Sequence, residues 1–227
     1  EKQRTLKQSI KFIGVGLHTG EKVEVEICPA AANHGYKFQR VDLEGQPTIN
    51  ADCDLVVATD RGTTLEQNGA RVYTVEHVLA ALVSMEIDNV LIQLDGPEPP
   101  IMDGSSIQFI EVLEDAGLEE QNALRRFFEV QETIQYKDPS REVEMVALPA
   151  SNYRVTVMVD YNSPVLGSQH ASITDISQFR PEIASCRTFC FLHELEMLYK
   201  SNLIKGGDLN NAIVVVDRIV EKEELAH

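Results

Sequence analysis

The stretch Tyr73-Thr74-Val75-Glu76-His77-Val78-Leu79-Ala80-Ala81-Leu82-Val83 decides how this chain is read. Val75, Val78/Leu79 and Leu82 recur three and four residues apart, the spacing of one helix face, and Thr74 stands where a hydroxyl cap opens a helix. The pattern predicts a short helix with its apolar face buried. Glu76 and His77 then fall in the first turn, on the flank of that face. There the positive end of the helix dipole favours an anionic carboxylate and a neutral imidazole, the states a general base and a metal ligand need. A first-turn Glu is also ordinary helix-start chemistry, a lone His is often packing, and no His-Glu-x-x-His pair marks a zinc protease.

On the N-terminal side, residues 1–30 read as strands joined by tight turns. Ile10 to Ile13 and the alternating Val23-Glu24-Val25-Glu26-Ile27 predict antiparallel sheet with one wet face. Between them lies Gly14-Val15-Gly16-Leu17-His18-Thr19-Gly20, whose glycines make a bulge or bring backbone and His18 close to a ligand. Tyr36-Lys37-Phe38, Val41 and Leu55-Val56-Val57 continue the short strands, and Asn68-Gly69 suits a hairpin turn.

On the C-terminal side, Met85 to Asn89 turns the chain into the apolar strand Val90-Leu91-Ile92-Gln93-Leu94. The Pro- and Gly-rich loop Asp95 to Ser106 follows, where two acidic residues suit a metal site but turn formation is the favoured reading. Ser105 or Ser106 then caps a second helix with the stripe Ile107, Ile110, Val112/Leu113 and Leu118. Glu119-Glu120-Gln121-Asn122 reads as a linker, because strand periodicity restarts at Phe127-Phe128-Glu129-Val130 and continues through residues 142–146 and 154–159. Ile176 to Tyr199 is helical in pattern, broken near Arg187-Thr188-Phe189-Cys190-Phe191. Lys205-Gly206-Gly207-Asp208-Leu209-Asn210-Asn211 leads into a strand from Ala212 to Val216. Two similar halves result, each running from antiparallel strands to a helix, an Asn-ended turn and an apolar strand. The expected organisation is α+β, with a first domain over 1–124 carrying Glu76-His77 and a second over 125–227.

Composition narrows the function. The chain has 227 residues and is 43% hydrophobic, enough for one large core or two smaller ones, and a soluble globular protein is expected. Twenty Lys and Arg against 36 Asp and Glu give a net charge of −16, which argues against nucleic acid or anionic membrane as partner. Four Cys, at 28, 53, 186 and 190, show neither zinc-ribbon nor disulfide spacing, so a reducing, cytoplasmic setting fits. No transmembrane segment or signal peptide is predicted. Position 1 is Glu rather than Met, and the second half stops at Glu223-Glu224-Leu225-Ala226-His227 where a final helix is still due; both predict a longer gene product.

Six ordered blocks carry a closer resemblance. They are Gly14 to Gly20, Thr74-Val75-Glu76-His77, Ile87-Asp88-Asn89, Gly96 to Ser105, Arg187-Thr188-Phe189, and Gly206-Gly207 leading into Asn211-Ala212-Ile213-Val214. Together they resemble the UDP-3-O-acyl-N-acetylglucosamine deacetylase family, zinc enzymes of lipid A synthesis in Gram-negative bacteria. The resemblance implies two similar domains, each an antiparallel sheet layered against helices, with the active site between them. It implies Zn2+ as cofactor, His77 as one ligand, Glu76 as the general base acting on the water that zinc activates, and Thr188 as the oxyanion donor. His18, Phe189, Gly206 and Gly207 would contact substrate, the last three within an inserted strand–helix–strand unit whose helix Leu192 to Leu198 walls an acyl passage. The substrate would be UDP-3-O-acyl-N-acetylglucosamine, which loses its acetyl group as acetate. The family's other ligands belong to a His-Lys-x-x-Asp motif followed by a further His acting as general acid, both expected beyond His227. Lys205 and Asp208 beside the glycine pair resemble the branch fused to a hydroxyacyl-carrier-protein dehydratase. A truncated, non-catalytic module that binds the nucleotide sugar or acyl chain is the alternative.

Overall fold

The computed structural model describes residues 1–218 and 220, so Glu223 to His227, before the helix expected from sequence, lie outside the described residues. The first half holds β1 (Lys2–Leu6), β2 (Ile10–Val15), β3 (Lys22–Pro29), β4 (Tyr36–Arg40), β5 (Thr48–Asn50), β6 (Val56–Ala58), β7 (Thr64–Gln67) and β8 (Ala70–Val72). Helix α1 (Glu76–Ser84), β9 (Val90–Leu94), α2 (Ile107–Ala116) and β10 (Leu118–Leu124) follow. Five strands form one sheet in the order β2-β3-β9-β4-β5, with the β4–β9 pair parallel and the others antiparallel. Three more, β6-β7-β8, form a smaller antiparallel sheet.

Alternation places the core. Val23, Val25 and Ile27 of β3 and Val90, Ile92 and Leu94 of β9 are fully buried, while Glu24 and Glu26 face the wet side. Helices α1 and α2 cover the apolar side: Val78, Ala81 and Leu82 from α1 meet Phe109, Ile110 and Leu113 from α2 in the same cluster. Phe109 also meets Phe12 of β2 edge to face at 5.6 Å. Each Val, Leu, Ile or Phe among them contributes about 1.5–3 kcal/mol when fully buried. The helix face and the strand alternation read from sequence are therefore both present. So is the hairpin at Asn68-Gly69, where φ values of 54° and 78° make a turn matched to the strand twist.

Three local readings need correction. Glu119 to Asn122 is not a linker but part of β10, which pairs antiparallel with β1 through Arg4↔Glu120 and Thr5↔Glu119. Phe127 to Val130 carries no strand; Phe127 and Phe128 are largely exposed, and the Arg125 guanidinium lies over the Phe127 ring at 5.4 Å. The segment from Ile176 is helical only as a short turn and a wide turn at Phe179–Ile183, closed by the Ala184 N–H donating to Phe179 O at 2.8 Å. Pro181 has no N–H to give there, so a regular ladder fails.

The second half forms β11 (Ile134–Asp138), β12 (Val143–Ala147), β13 (Val155–Asp160), β14 (Ser168–Ile173), β15 (Phe189–Phe191), α3 (Leu195–Lys200) and β16 (Ile213–Val215). β11–β12 and β13–β14 are two-stranded antiparallel ribbons with Tyr136, Met145 and Met158 exposed. β15 and β16 pair in parallel. Parallel neighbours need a crossover, and α3 supplies it, with Leu198 buried beneath. The expected strand–helix–strand unit is thus present, and the architecture is mixed α+β.

Candidate active site

Helix α1 opens without a side-chain cap: the residue before it is Val75, and Thr74, expected as the cap, is drawn away. Thr74 has φ +53° and its hydroxyl donates to Glu98 Oε1 at 2.7 Å. The first-turn Glu76 is held from the opposite side. Its Oε2 accepts the Thr63 N–H at 2.9 Å, and the Val75 N–H reaches Thr63 O at 3.4 Å. A carboxylate so fixed by a backbone donor is aimed before any substrate arrives.

His77 is half-buried beside it. Burial pushes its imidazole below the ordinary histidine value, against the opposing pull of the Glu76 and Asp103 carboxylates, so the neutral ring is favoured. Among the described residues neither ring nitrogen has a hydrogen-bond partner. The His77 carbonyl accepts from Ser106 Oγ at 3.2 Å, which ties α1 to the loop before α2.

That same loop reaches Thr188. The Thr188 N–H donates to Gly104 O at 2.7 Å, Arg187 Nε donates to Asp103 O at 2.7 Å, and the Ser106 N–H donates to Ala184 O at 3.0 Å. Ile213 N–H closes the other side on Thr188 O at 3.0 Å. The Thr188 backbone is pinned from both flanks, while its hydroxyl has no partner among the described residues. The loop Asp103 to Ser106 thus bonds to both the His77 carbonyl and the Thr188 N–H.

His18, Gly206 and Gly207 form an adjoining group. The His18 Nδ1 accepts the Ile204 N–H at 3.3 Å and its Nε2 faces Arg61 O at 3.1 Å. Only the tautomer with the proton on Nε2 satisfies both. Both ring nitrogens are thereby engaged with backbone. Gly206 N–H donates to Leu17 O at 3.0 Å, and a Cβ on Gly206 would stand 2.2 Å from Gly16 O, so glycine permits this contact. The two groups meet over Gly62, where a Cβ would lie 3.5 Å from both Glu76 Oε1 and His18 Nε2. A cavity of about 330 Å3 opens there, lined among others by His18, Asp60, Thr74, Asn202, Leu203 and Lys205. Phe189 stands on β15 in an aromatic cluster, edge to face with Tyr161 at 5.4 Å and Phe191 at 5.8 Å.

Residues 3–227 match the protein family described as UDP-3-O-acyl N-acetylglycosamine deacetylase. The chain belongs to this family. It is 47% identical over 222 residues to a protein of Bacteroides thetaiotaomicron named "Bifunctional enzyme LpxC/FabZ", covering 98% of this chain and 48% of that protein. A protein of the same name from Chlorobaculum tepidum is 46% identical over 224 residues, again 98% of this chain and 48% of the relative. The "UDP-3-O-acyl-N-acetylglucosamine deacetylase" of Methylococcus capsulatus is 44% identical over 217 residues, 94% of this chain and 71% of the relative. The chain therefore spans about half the length of the bifunctional relatives.

As a deacetylase-family site the arrangement suits a metal in part. His77 offers a neutral, unpartnered imidazole with two carboxylates nearby, which fits one zinc donor. Among the described residues no tight group of three donors includes it; the one such group, Asp52, Cys53 and Asp54, is exposed on the surface. Sequence reading missed Thr63, Glu98, Asp103, Ser106 and Arg187. Their roles arise from contacts across 13 to 84 positions of chain, and only the density of Pro and Gly around Glu98 and Asp103 hinted at a built loop.

Proposed function

We propose that the protein carrying this chain is a zinc-dependent amidase that removes the acetyl group of UDP-3-O-acyl-N-acetylglucosamine in lipid A biosynthesis. The observation that carries this reading is Glu76, fixed by the Thr63 N–H next to a neutral, unpartnered His77. Family membership and relatives named as deacetylases support it.

His77 would be one zinc ligand, and bound zinc supplies Lewis acidity toward water and the acetamide carbonyl. Glu76 takes a proton from the attacking water as its oxygen bonds to the acetamide carbon. The free hydroxyl of Thr188 donates to the carbonyl oxygen as charge develops on it. The carbon–nitrogen bond then breaks, the nitrogen gains a proton that balances the one Glu76 took from water, and acetate and the amine leave. The cavity above Gly62 and the β15–α3–β16 unit would receive the sugar and acyl parts, with Phe189, His18 and the Gly206-Gly207 turn on that path. The division into domains 1–124 and 125–227, a cytoplasmic setting and a fused dehydratase belong to the same proposal. The relatives named LpxC/FabZ support the fusion, and among the described residues no helix is long and apolar enough to cross a membrane.

The test uses the full-length protein with zinc and the UDP-sugar substrate. Glu76→Gln should lower kcat by about 100- to 10,000-fold with the fold intact, and Thr188→Val by about 100- to 1,000-fold. Near-normal turnover by Glu76→Gln would sink the assignment. The absence of a three-donor group around His77 among the described residues keeps one rival, a non-catalytic module. Tight, metal-independent binding of the UDP-sugar without turnover by any longer form would select it.

A further inference from the structure

We infer that Glu98 is the positioning residue of this site: its buried carboxylate clamps Thr74 in a strained backbone state and so sets where Glu76 stands. This rests on the reading of Glu76 as the base.

Glu98 has no solvent exposure and, among the described residues, no Lys or Arg beside it. A buried carboxylate is costly unless donors surround it. Four do. Oε2 accepts the Thr19 N–H and the Thr19 hydroxyl, each at 2.9 Å; both oxygens face the His18 N–H at 3.1 Å; and Oε1 accepts the Thr74 hydroxyl at 2.7 Å. Gly16 leaves room for the carboxylate, since a Cβ there would stand 2.5 Å from Oε2. The loop bearing Glu98 is itself braced. Pro97 O accepts the Tyr73 N–H at 2.9 Å, and the Ile101 N–H donates to Val15 O at 3.0 Å.

The three segments joined at Glu98 each carry part of the site: the Gly14–Gly20 turn carries His18, residue 74 lies two positions before the Glu76 helix, and the loop itself runs on to Asp103. Thr74 is the telling partner. A β-branched residue avoids positive φ, and such strain persists only where surrounding bonds over-determine it. Here φ is +53° two residues before Glu76, and the hydroxyl expected to cap α1 is given to Glu98 instead. Freed from Glu98, residue 74 would relax toward negative φ, turn the start of α1, and break the bond from the Thr63 N–H to Glu76 Oε2. Glu98 thus acts through Thr74 without touching the reacting atoms.

Glu98→Ala would strand several buried donors and is liable not to fold, so Thr74→Val in the full-length, zinc-loaded protein is the deciding variant. It removes the hydroxyl at nearly constant shape. The expected result is a kcat lowered about 10- to 100-fold with KM within about threefold. Amide hydrogen exchange at Thr63 should quicken about tenfold or more while β9 stays protected. Thr74→Ser, which keeps the hydroxyl, should return both readouts to within about threefold of the parent. Unchanged protection at Thr63, equal loss of protection in β9, or a Ser variant as impaired as Val would each overturn the clamp. If the parent protein fails to deacetylate the UDP-sugar, the proposed activity falls while the Thr63 exchange still decides the clamp.

Discussion

Replacing Gly104 by Ala probes the seam where the loop of Asp103 meets the segment of Thr188. Gly104 has φ +87°, and a Cβ on it would lie 2.0 Å from Asn211 O, 2.9 Å from Asn211 C and 3.3 Å from Thr188 Cγ2. Carbon atoms rest about 3.5–4.0 Å from non-bonded neighbours, so something must move by more than about 1 Å. Asn211 cannot yield easily. It is buried, its Nδ2 donates to Gly206 O at 2.9 Å, and its Oδ1 accepts the Asp208 N–H at 2.8 Å. Gly35 provides the control: φ is +71° and nothing lies within 4 Å of its added Cβ. Gly35→Ala should therefore cost only the backbone penalty, about 1–2 kcal/mol. Gly104→Ala should cost that plus overpacking of about 1–3 kcal/mol, or roughly 2–5 kcal/mol together. At about 2–4 °C per kcal/mol the two melting points should fall by roughly 2–8 °C and 4–20 °C respectively. Thermal unfolding of the full-length protein reads the difference, and kcat should fall in Gly104→Ala alone because Thr188 shifts. Equal melting shifts in the two variants, with kcat unchanged, would refute the steric argument.

Two further predictions concern the frame. Leu82→Ala in the buried face of α1 should cost about 2–5 kcal/mol in urea unfolding, whereas Val83→Ala, at a position 43% exposed, should cost well under half of that; equal losses would contradict the packing described. Asp42 is bound by Arg40 through both carboxylate oxygens at 2.8 and 2.6 Å, and these bonds hold its carboxyl below the usual value near 3.8. A depressed carboxylate stabilises the fold above its unfolded pKa and loses that contribution as pH falls through the folded value. Asp42→Asn should thus cost about 1 kcal/mol or less at pH 7, as a pair at the protein surface, and almost nothing once the pH is below the folded value; a cost independent of pH would remove the ion pair from the account.

What could be read from sequence was what depends on near neighbours. The face of α1, the alternation of β3 and β9 and the Asn68-Gly69 turn each follow from residues within one element. Glu119 to Asn122 looked like a linker because its polar side chains hide a strand whose partner, β1, lies over 100 positions away. Thr74 looked like a cap because capping is a local rule, and the stronger acceptor, Glu98, arrives 24 residues later. The site divides the same way. Glu76 and His77 adjoin in sequence and could be paired on sight, whereas Thr63, Ser106 and Arg187 act through backbone contacts that no spacing announces.

Four of the eleven non-glycine residues with positive φ among the described residues belong to the segments around this site: Arg61, Thr74, Met102 and Ile204 at 61°, 53°, 57° and 53°. Two of them hang on one ring, since His18 faces Arg61 O with Nε2 and accepts the Ile204 N–H on Nδ1. A third, Thr74, hangs on Glu98, which also holds the His18 N–H. Such states cost of order 1–3 kcal/mol each and need a stiff surround. The five-stranded sheet anchors what holds them: the His18 turn joins β2 to β3 and the Glu98 loop leaves β9, so both His18 and Glu98 are carried by strands whose apolar side is fully buried. The coupling runs one way. Weakening the core far from these bonds should lower the unfolding free energy before it alters kcat, while cutting a single bond at Thr74 should alter kcat first.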